Sequence, residues 1–217
     1  MTTTVLYANL KQISDVELQN QLNKLPDFML KDISRFKQSE TRALKIIARL
    51  MLLRCLEDTD QGQLINKWEV TNYHKPQIPY WFPFNISHSS ELSVFAYGDE
   101  TVGVDIEKID VIKYDLIEYF HPLERQYIYN SINKEDAFFE IWVKKEAFLK
   151  ALGVGLSFNE GLDSFNCVNN MLYYRGNNWF FFELKIDAGY KCFLCCQKIE
   201  EVKVEGFDFI TRSARFI

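Results

Sequence analysis

A chain of 217 residues that is 47% hydrophobic and 15% aromatic has ample material for a packed core and too little polarity for disorder. Its 30 acidic side chains outnumber the 25 lysines and arginines, giving a net charge of −5, so it lacks the broad basic footprint of a nucleic-acid binder. No apolar run reaches the ~18 residues of a membrane span, and no cationic segment followed by a long apolar run opens the chain. A cytoplasmic protein that binds neither nucleic acid nor membrane is expected.

The first strong helix is expected over residues 39–57, with Ser39 as its cap and Leu44, Ile47, Met51 and Leu52 as its apolar stripe. Arg42, Lys45 and Arg49 form a basic stripe on another side, which without context reads as a solvated face. Residues 74–83 hold three of the five prolines and must be extended and irregular. Strands are expected at "FNISHS" (84–89), "LSVFAY" (92–97) and "TVGVDIE" (101–107), the last two joined as a hairpin by Gly98-Asp99. One helix is expected around 113–131 and another from about 136 to 152. Beyond Gly153 and Gly155 the chain turns β-rich, with strands at "DSFNCV", "MLYYRG", "WFFFELKI", "YKCFLCCQK" and "FDFI". The five cysteines include one C-x-x-C in "CFLCC"; with no second ligand pair for zinc, they are expected to pack in the core. The order of elements predicts an α+β fold.

Charge sits in unexpected places in two of these elements. Along "VGVDIE", Val102, Val104 and Ile106 share one face, while Asp105 and Glu107 share the other beside Gly103. In the helix, Phe139, Trp142, Val143, Glu146 and Lys150 form one continuous stripe, and Phe138, Ile141, Lys145, Phe148 and Leu152 form a second. Glu140, Lys144, Ala147 and Ala151 are left as the side suited to water. A carboxylate on an inward stripe calls for a cation or substrate, because a partly buried charge costs more than a surface ion pair returns. If Asp105, Glu107 and Glu146 converge, they repel one another unless a cation sits between them. Oxygen ligands without His or Cys favour Mg²⁺, which usually takes phosphate oxygens as well. With Lys145 and Lys150 on the same helix, a metal-bound diphosphate and phosphoryl transfer are expected.

"VGVDIE" followed some forty residues later by "FFEIWVKKEAFLKALGVGLS" resembles the paired signature of the 4′-phosphopantetheinyl transferases. Trp142, Lys145, Glu146 and Lys150 match the helix pattern W-x-x-K-E-x-x-x-K. "HKP", "FNISHS", "LDSF" and "GYKCFLCC" extend the resemblance over about residues 35 to 197. The resemblance is to the long, Sfp-type form. It implies two similar α+β lobes related by a pseudo-twofold, residues 1–100 and 101–217, with coenzyme A in the cleft of a monomer. It implies holo-[acyl-carrier-protein] synthase activity: Mg²⁺-dependent transfer of 4′-phosphopantetheine from coenzyme A to a serine of an apo acyl or peptidyl carrier protein, releasing 3′,5′-ADP.

By the same resemblance Asp105, Glu107 and Glu146 hold Mg²⁺, and Glu146 and Lys150 are catalytic, as general base and charge balance. His88 and Lys150 contact the cofactor's diphosphate, Lys75 and Pro76 line its adenine, and Ser87, Ser89 and Lys145 also bind the cofactor. Where the family commonly carries a Gly in the first long helix, this chain has Ala48, so the 3′-phosphate contact falls to Lys45 or Arg42. His74, His121 and Glu124 read as structural. Two alternatives stay open from the residues alone, a metal-dependent nuclease or phosphodiesterase and a non-catalytic module that binds coenzyme A or a carrier protein.

Overall fold

The computed structural model describes residues 2–73, 75–112, 114–155, 160–198 and 201–209. His74, which the sequence reads as structural, lies outside them. Strand β1 (Thr2–Asn9) leads into α1 (Asp15–Leu22), where Ser14 and Glu17 form a reciprocal capping box, and then into α2 (Asp27–Ser34). Helix α3 (Ser39–Asp58) follows within one residue of expectation, but its N-cap is Gln38 and no side chain caps it. It buries Leu44, Ile47, Met51 and Leu52 against the sheet beside it. The short pair β2 (Glu69–Val70) and β3 (Pro76–Gln77) frames the proline-rich segment.

Among the described residues the remaining strands build two four-stranded sheets. In the first, β4 (Phe84–Ser89) pairs with β5 (Leu92–Tyr97), β5 with β1, and β1 in parallel with β10 (Glu201–Gly206). The second is antiparallel, in the order β6 (Val102–Lys108), β9 (Tyr190–Cys196), β8 (Asn177–Glu183) and β7 (Met171–Tyr174). The expected hairpin of 92–97 and 101–107 therefore does not form. The chain leaves the first sheet at Tyr97 and opens the second at Val102. Both of these strands are almost wholly buried, so each needs cover on two faces, which a two-stranded hairpin cannot supply.

The helix expected over 113–131 is two pieces, α4 (Tyr114–Ile117) and α5 (Pro122–Asn130). Pro122 takes the first helical position of α5, where its missing N–H is not needed, and the His121 side chain caps the helix by accepting from Leu123 N. Helix α6 (Lys134–Leu152) is capped by Asn133 and ends at Gly153 with φ 75°, a left-handed conformation that suits glycine. "DSFNCV" becomes a short turn of helix and irregular chain rather than a strand. "FDFI" falls just past β10, and its last residue lies outside the described ones. All five cysteines are buried, as core residues.

Helix α3 covers the first sheet over Phe84 and Phe95, and α6 covers the second, its Phe148 meeting Trp179. A third core joins the sheets, with Val5, Val94 and Ala96 meeting Val104, Ile106 and Leu194.

Candidate active site between the sheets

The side of α6 expected to face water is buried, apart from half-buried Glu140. Lys144, Ala147 and Ala151 are all at most 2% exposed. The small alanines let the helix lie directly on β6, where Gly103 has no side chain. A Cβ at Gly103 would stand 2.0 Å from the Ala147 carbonyl oxygen and 2.4 Å from the Ala151 nitrogen. This close seat turns Phe139, Trp142, Glu146 and Lys150 outward to half-exposure, while Val143 of the same expected stripe stays buried. Three of those four, Trp142, Glu146 and Lys150, line a cavity of about 610 Å³.

Several elements bring side chains to that cavity: Lys45 and Arg49 from α3, Pro76 from β3, Ser87 and His88 from β4, and Asp105 and Glu107 from β6. The three candidate metal carboxylates therefore line one cavity. Burial, with Asp105 and then Glu107 nearby, pushes the Glu146 carboxyl up to about 7, against the pull of Lys150. Lys150 Nζ lies 2.6 Å from Asp105 Oδ1 and donates at 2.8 Å to Ser87 Oγ. Burial, helped by Lys45, Lys150 and Arg49, pulls His88 down to about 4, so its ring is neutral. Cations and carboxylates thus meet within one cavity.

Among the described residues no group of three or more His, Cys, Asp or Glu side chains is gathered tightly enough to hold a metal by itself. The carboxylates repel, and the ammonium of Lys150 supplies the counter-charge on Asp105 Oδ1. The donor set nevertheless fits a hard cation. Asp105 is 3% exposed, and its Oδ2 is buried without a hydrogen-bond partner, an arrangement that costs free energy until a cation or donor arrives. Mg²⁺ commonly uses one or two carboxylates and completes its shell with phosphate and water.

Three expected cofactor contacts are placed elsewhere. Lys145 is 1% exposed and pairs at 2.9 Å with Glu124, which is 0% exposed. It also donates to the carbonyls of Leu162 and Phe165. Its stripe faces the interior, where an ammonium survives only when fully partnered. Lys75 turns away from the cavity that Pro76 lines and donates at 3.1 Å to the Ala151 carbonyl at the end of α6. Burial pulls its ammonium down to about 8. Ser89 donates to Glu107 Oε2 at 2.7 Å and lies on a neighbouring cavity of about 580 Å³, which Glu107 and Trp142 also line. Arg42 likewise serves the chain, donating to the carbonyls of Phe36 and Lys37.

A family profile described as the 4′-phosphopantetheinyl transferase superfamily matches residues 101–195. The 4′-phosphopantetheinyl transferase gsp of Aneurinibacillus migulanus is 32% identical over 169 residues, covering 73% of this chain and 68% of that relative. The chain belongs to this superfamily. The 4′-phosphopantetheinyl transferase Sfp of Bacillus subtilis (strain 168) is 35% identical over 106 residues, 46% of each chain. The solved structure of Thermotoga maritima holo-[acyl-carrier-protein] synthase is 17% identical, with a TM-score of 0.34 over 48% of this chain and 64% of that one. That likeness is too remote to argue from; on sequence, relatives of the gsp and Sfp kind fit this superfamily member better than the holo-[acyl-carrier-protein] synthase label.

Arg49 is a site residue that the sequence reading left in a solvated stripe. It is 7% exposed, stacks over Trp68 at 5.1 Å and pairs with Asp32 at 3.1 Å, while its Nε is buried without a partner. Its period matched the surface stripe; the fold brings Trp68 and Asp32 over it. Glu124 was read as structural, and so it is: its carboxylate holds Lys145, the His121 N–H and the Cys167 N–H together. No helix is long and apolar enough to cross a membrane among the described residues.

Proposed function

We propose that this superfamily member transfers the 4′-phosphopantetheine group of coenzyme A to a serine hydroxyl of an apo acyl or peptidyl carrier protein, releasing 3′,5′-ADP. One observation carries the reading. Asp105, Glu107, Glu146, His88 and Lys150, from three separate elements, line one cavity beside a buried carboxylate oxygen that lacks a partner.

Glu146, pushed up to about 7, is suited to take the serine proton near neutral pH. The hydroxyl oxygen then attacks the phosphorus bearing pantetheine, and the bond from that phosphorus to the bridging oxygen breaks. Lys150 balances charge on the leaving 3′,5′-ADP. Lys45 and Arg49 offer cations to its phosphates, and His88 offers a neutral hydrogen-bonding ring in the same cavity. Pro76 and Trp68 give the adenine an apolar seat. Asp105, Glu107 and Glu146 would hold Mg²⁺, which when bound supplies positive charge to the diphosphate.

In this reading the two sheets, each covered by one long helix, are the cores of two lobes related by a pseudo-twofold. The boundary falls near residue 100, and β10 crosses back to the first lobe. Helices of 20 and 19 residues in matching positions support it. The protein acts as a cytoplasmic monomer.

The test is the intact mass of an apo carrier protein incubated with this protein, coenzyme A and Mg²⁺, with and without EDTA. A shift of one phosphopantetheine unit that EDTA and Asp105→Ala both abolish is the expected result. No shift with several unrelated carriers, despite binding of coenzyme A, overturns the reading.

A further inference from the structure

Strands β4 and β6 are the facing edges of different sheets and form no backbone ladder with each other. Three side chains on alternate residues of β4 take the ladder's place. Asn85 Oδ1 accepts from Val104 N at 2.9 Å, Ser87 Oγ from Ile106 N at 3.4 Å, and Ser89 Oγ from Lys108 N at 3.1 Å. The period is that of a strand on both sides, so every second N–H of the β6 edge meets a polar side chain.

The two serines do more than the asparagine. A hydroxyl accepts and donates at once. Ser87 donates its own proton to Asp105 Oδ1 at 2.8 Å, and Ser89 donates to Glu107 Oε2 at 2.7 Å. Asn85 touches no carboxylate among its hydrogen-bond partners. Each serine therefore fixes a β6 carboxylate relative to its own strand. With Oδ1 of Asp105 engaged by Ser87 and Lys150, Oδ2 is the oxygen left over.

We propose that Ser87 and Ser89 are positioning residues for the cation site rather than contacts to coenzyme A: through their hydroxyls they orient Asp105 and Glu107, while Asn85 supplies only the join between sheets. The proposal rests on the cation reading given above. Partners one step removed from a metal commonly change its affinity by ~10- to 100-fold when lost.

The experiment is a Mn²⁺ titration followed by electron paramagnetic resonance, at fixed coenzyme A, on the full chain and on Ser87→Ala, Ser87→Thr, Ser89→Ala and Asn85→Ala, with a thermal melt of each. Weakening of Mn²⁺ binding by about tenfold or more in both alanine variants of serine, recovery in Ser87→Thr, and a lowered melt with unchanged Mn²⁺ affinity in Asn85→Ala are expected. If Ser87→Ala does not fold, the half-buried Ser89 carries the test alone. Unchanged affinity in the serine variants overturns the proposal, and so does an equal loss in Asn85→Ala, which would make the effect general loosening. Absence of Mn²⁺ binding by the unaltered chain overturns the cation reading itself, a separate and recognisable result.

Discussion

Gly103 lies where β6 passes beneath α6, and its missing side chain sets the distance between them. Gly103→Ala would place a carbon 2.0 Å from the Ala147 carbonyl oxygen, so the helix must lift. The expected cost is about 3 kcal/mol, at the upper end for overpacking, together with displacement of Glu146 and Lys150. A thermal melt and a coenzyme A titration read both effects. The Lys145–Glu124 pair invites a second substitution. Lys145→Met leaves a carboxylate buried without its cation, and a loss on the order of 3–5 kcal/mol is expected. Adding Glu124→Gln to it should restore part of that loss in denaturant unfolding. A cofactor contact at Lys145 would instead change coenzyme A affinity and leave stability intact.

His88 makes a pH prediction. Its folded pKa of about 4 lies below the ordinary 6.5, so between these values the unfolded chain binds a proton that the folded ring refuses. Stability from this group therefore falls as pH drops from about 6.5 to about 4 and then levels off. Glu146, raised to about 7, acts in the opposite direction, since the folded chain holds its proton longer. The contribution of the ring is isolated by comparing melts of the unaltered chain and His88→Asn at pH 7 and pH 4.5. The acid-induced loss should be smaller in the variant, by an amount on the order of 1–2 kcal/mol for this partly exposed ring. An equal loss in both would sink the assignment.

At the scale of elements, α6 teaches most. Its two apolar stripes were legible because aromatics recur at helical spacing. The sequence reading placed water on the side with two alanines and a lysine, since small and charged residues suit a surface equally well. They suit a close helix–sheet contact too, when the partner strand carries Gly103. Lys75 closes the far end of the same helix. Its ammonium meets the Ala151 carbonyl beside the Gly153 cap, where cations are favoured. Lys75→Met should therefore cost about 1 kcal/mol in the melt, with any change in coenzyme A affinity secondary. Loss of affinity at unchanged stability would return Lys75 to the cofactor.

For the whole molecule, the site exists only because two sheets meet. Lys45, Arg49 and His88 belong to the first, and Asp105, Glu107, Glu146 and Lys150 to the second with its helix. A ligand that bridges them must stabilise both. Coenzyme A with Mg²⁺ should raise the melting temperature more than either alone, by linkage worth about 2.7 kcal/mol at a hundredfold excess over Kd, and EDTA should remove the gain. A rise of equal size without metal would argue against the carboxylates as its ligands.

The sequence by itself determined the mixed α+β content, helices α3 and α6, the strands expected at 84–89, 92–97 and 101–107, and the carboxylates and Lys150 that meet in the cavity. Those features are local: periodicity, prolines and misplaced charge report on nearest neighbours along the chain. Tertiary structure alone decided that β5 and β6 part into different sheets, that β10 returns beside β1, and that Lys145 and Lys75 serve the protein. It also decided that Ser87 and Ser89 lie against carboxylates eighteen residues away. An ammonium or hydroxyl satisfies its hydrogen bonds with whatever long-range packing puts beside it, and no local pattern of residues records that choice.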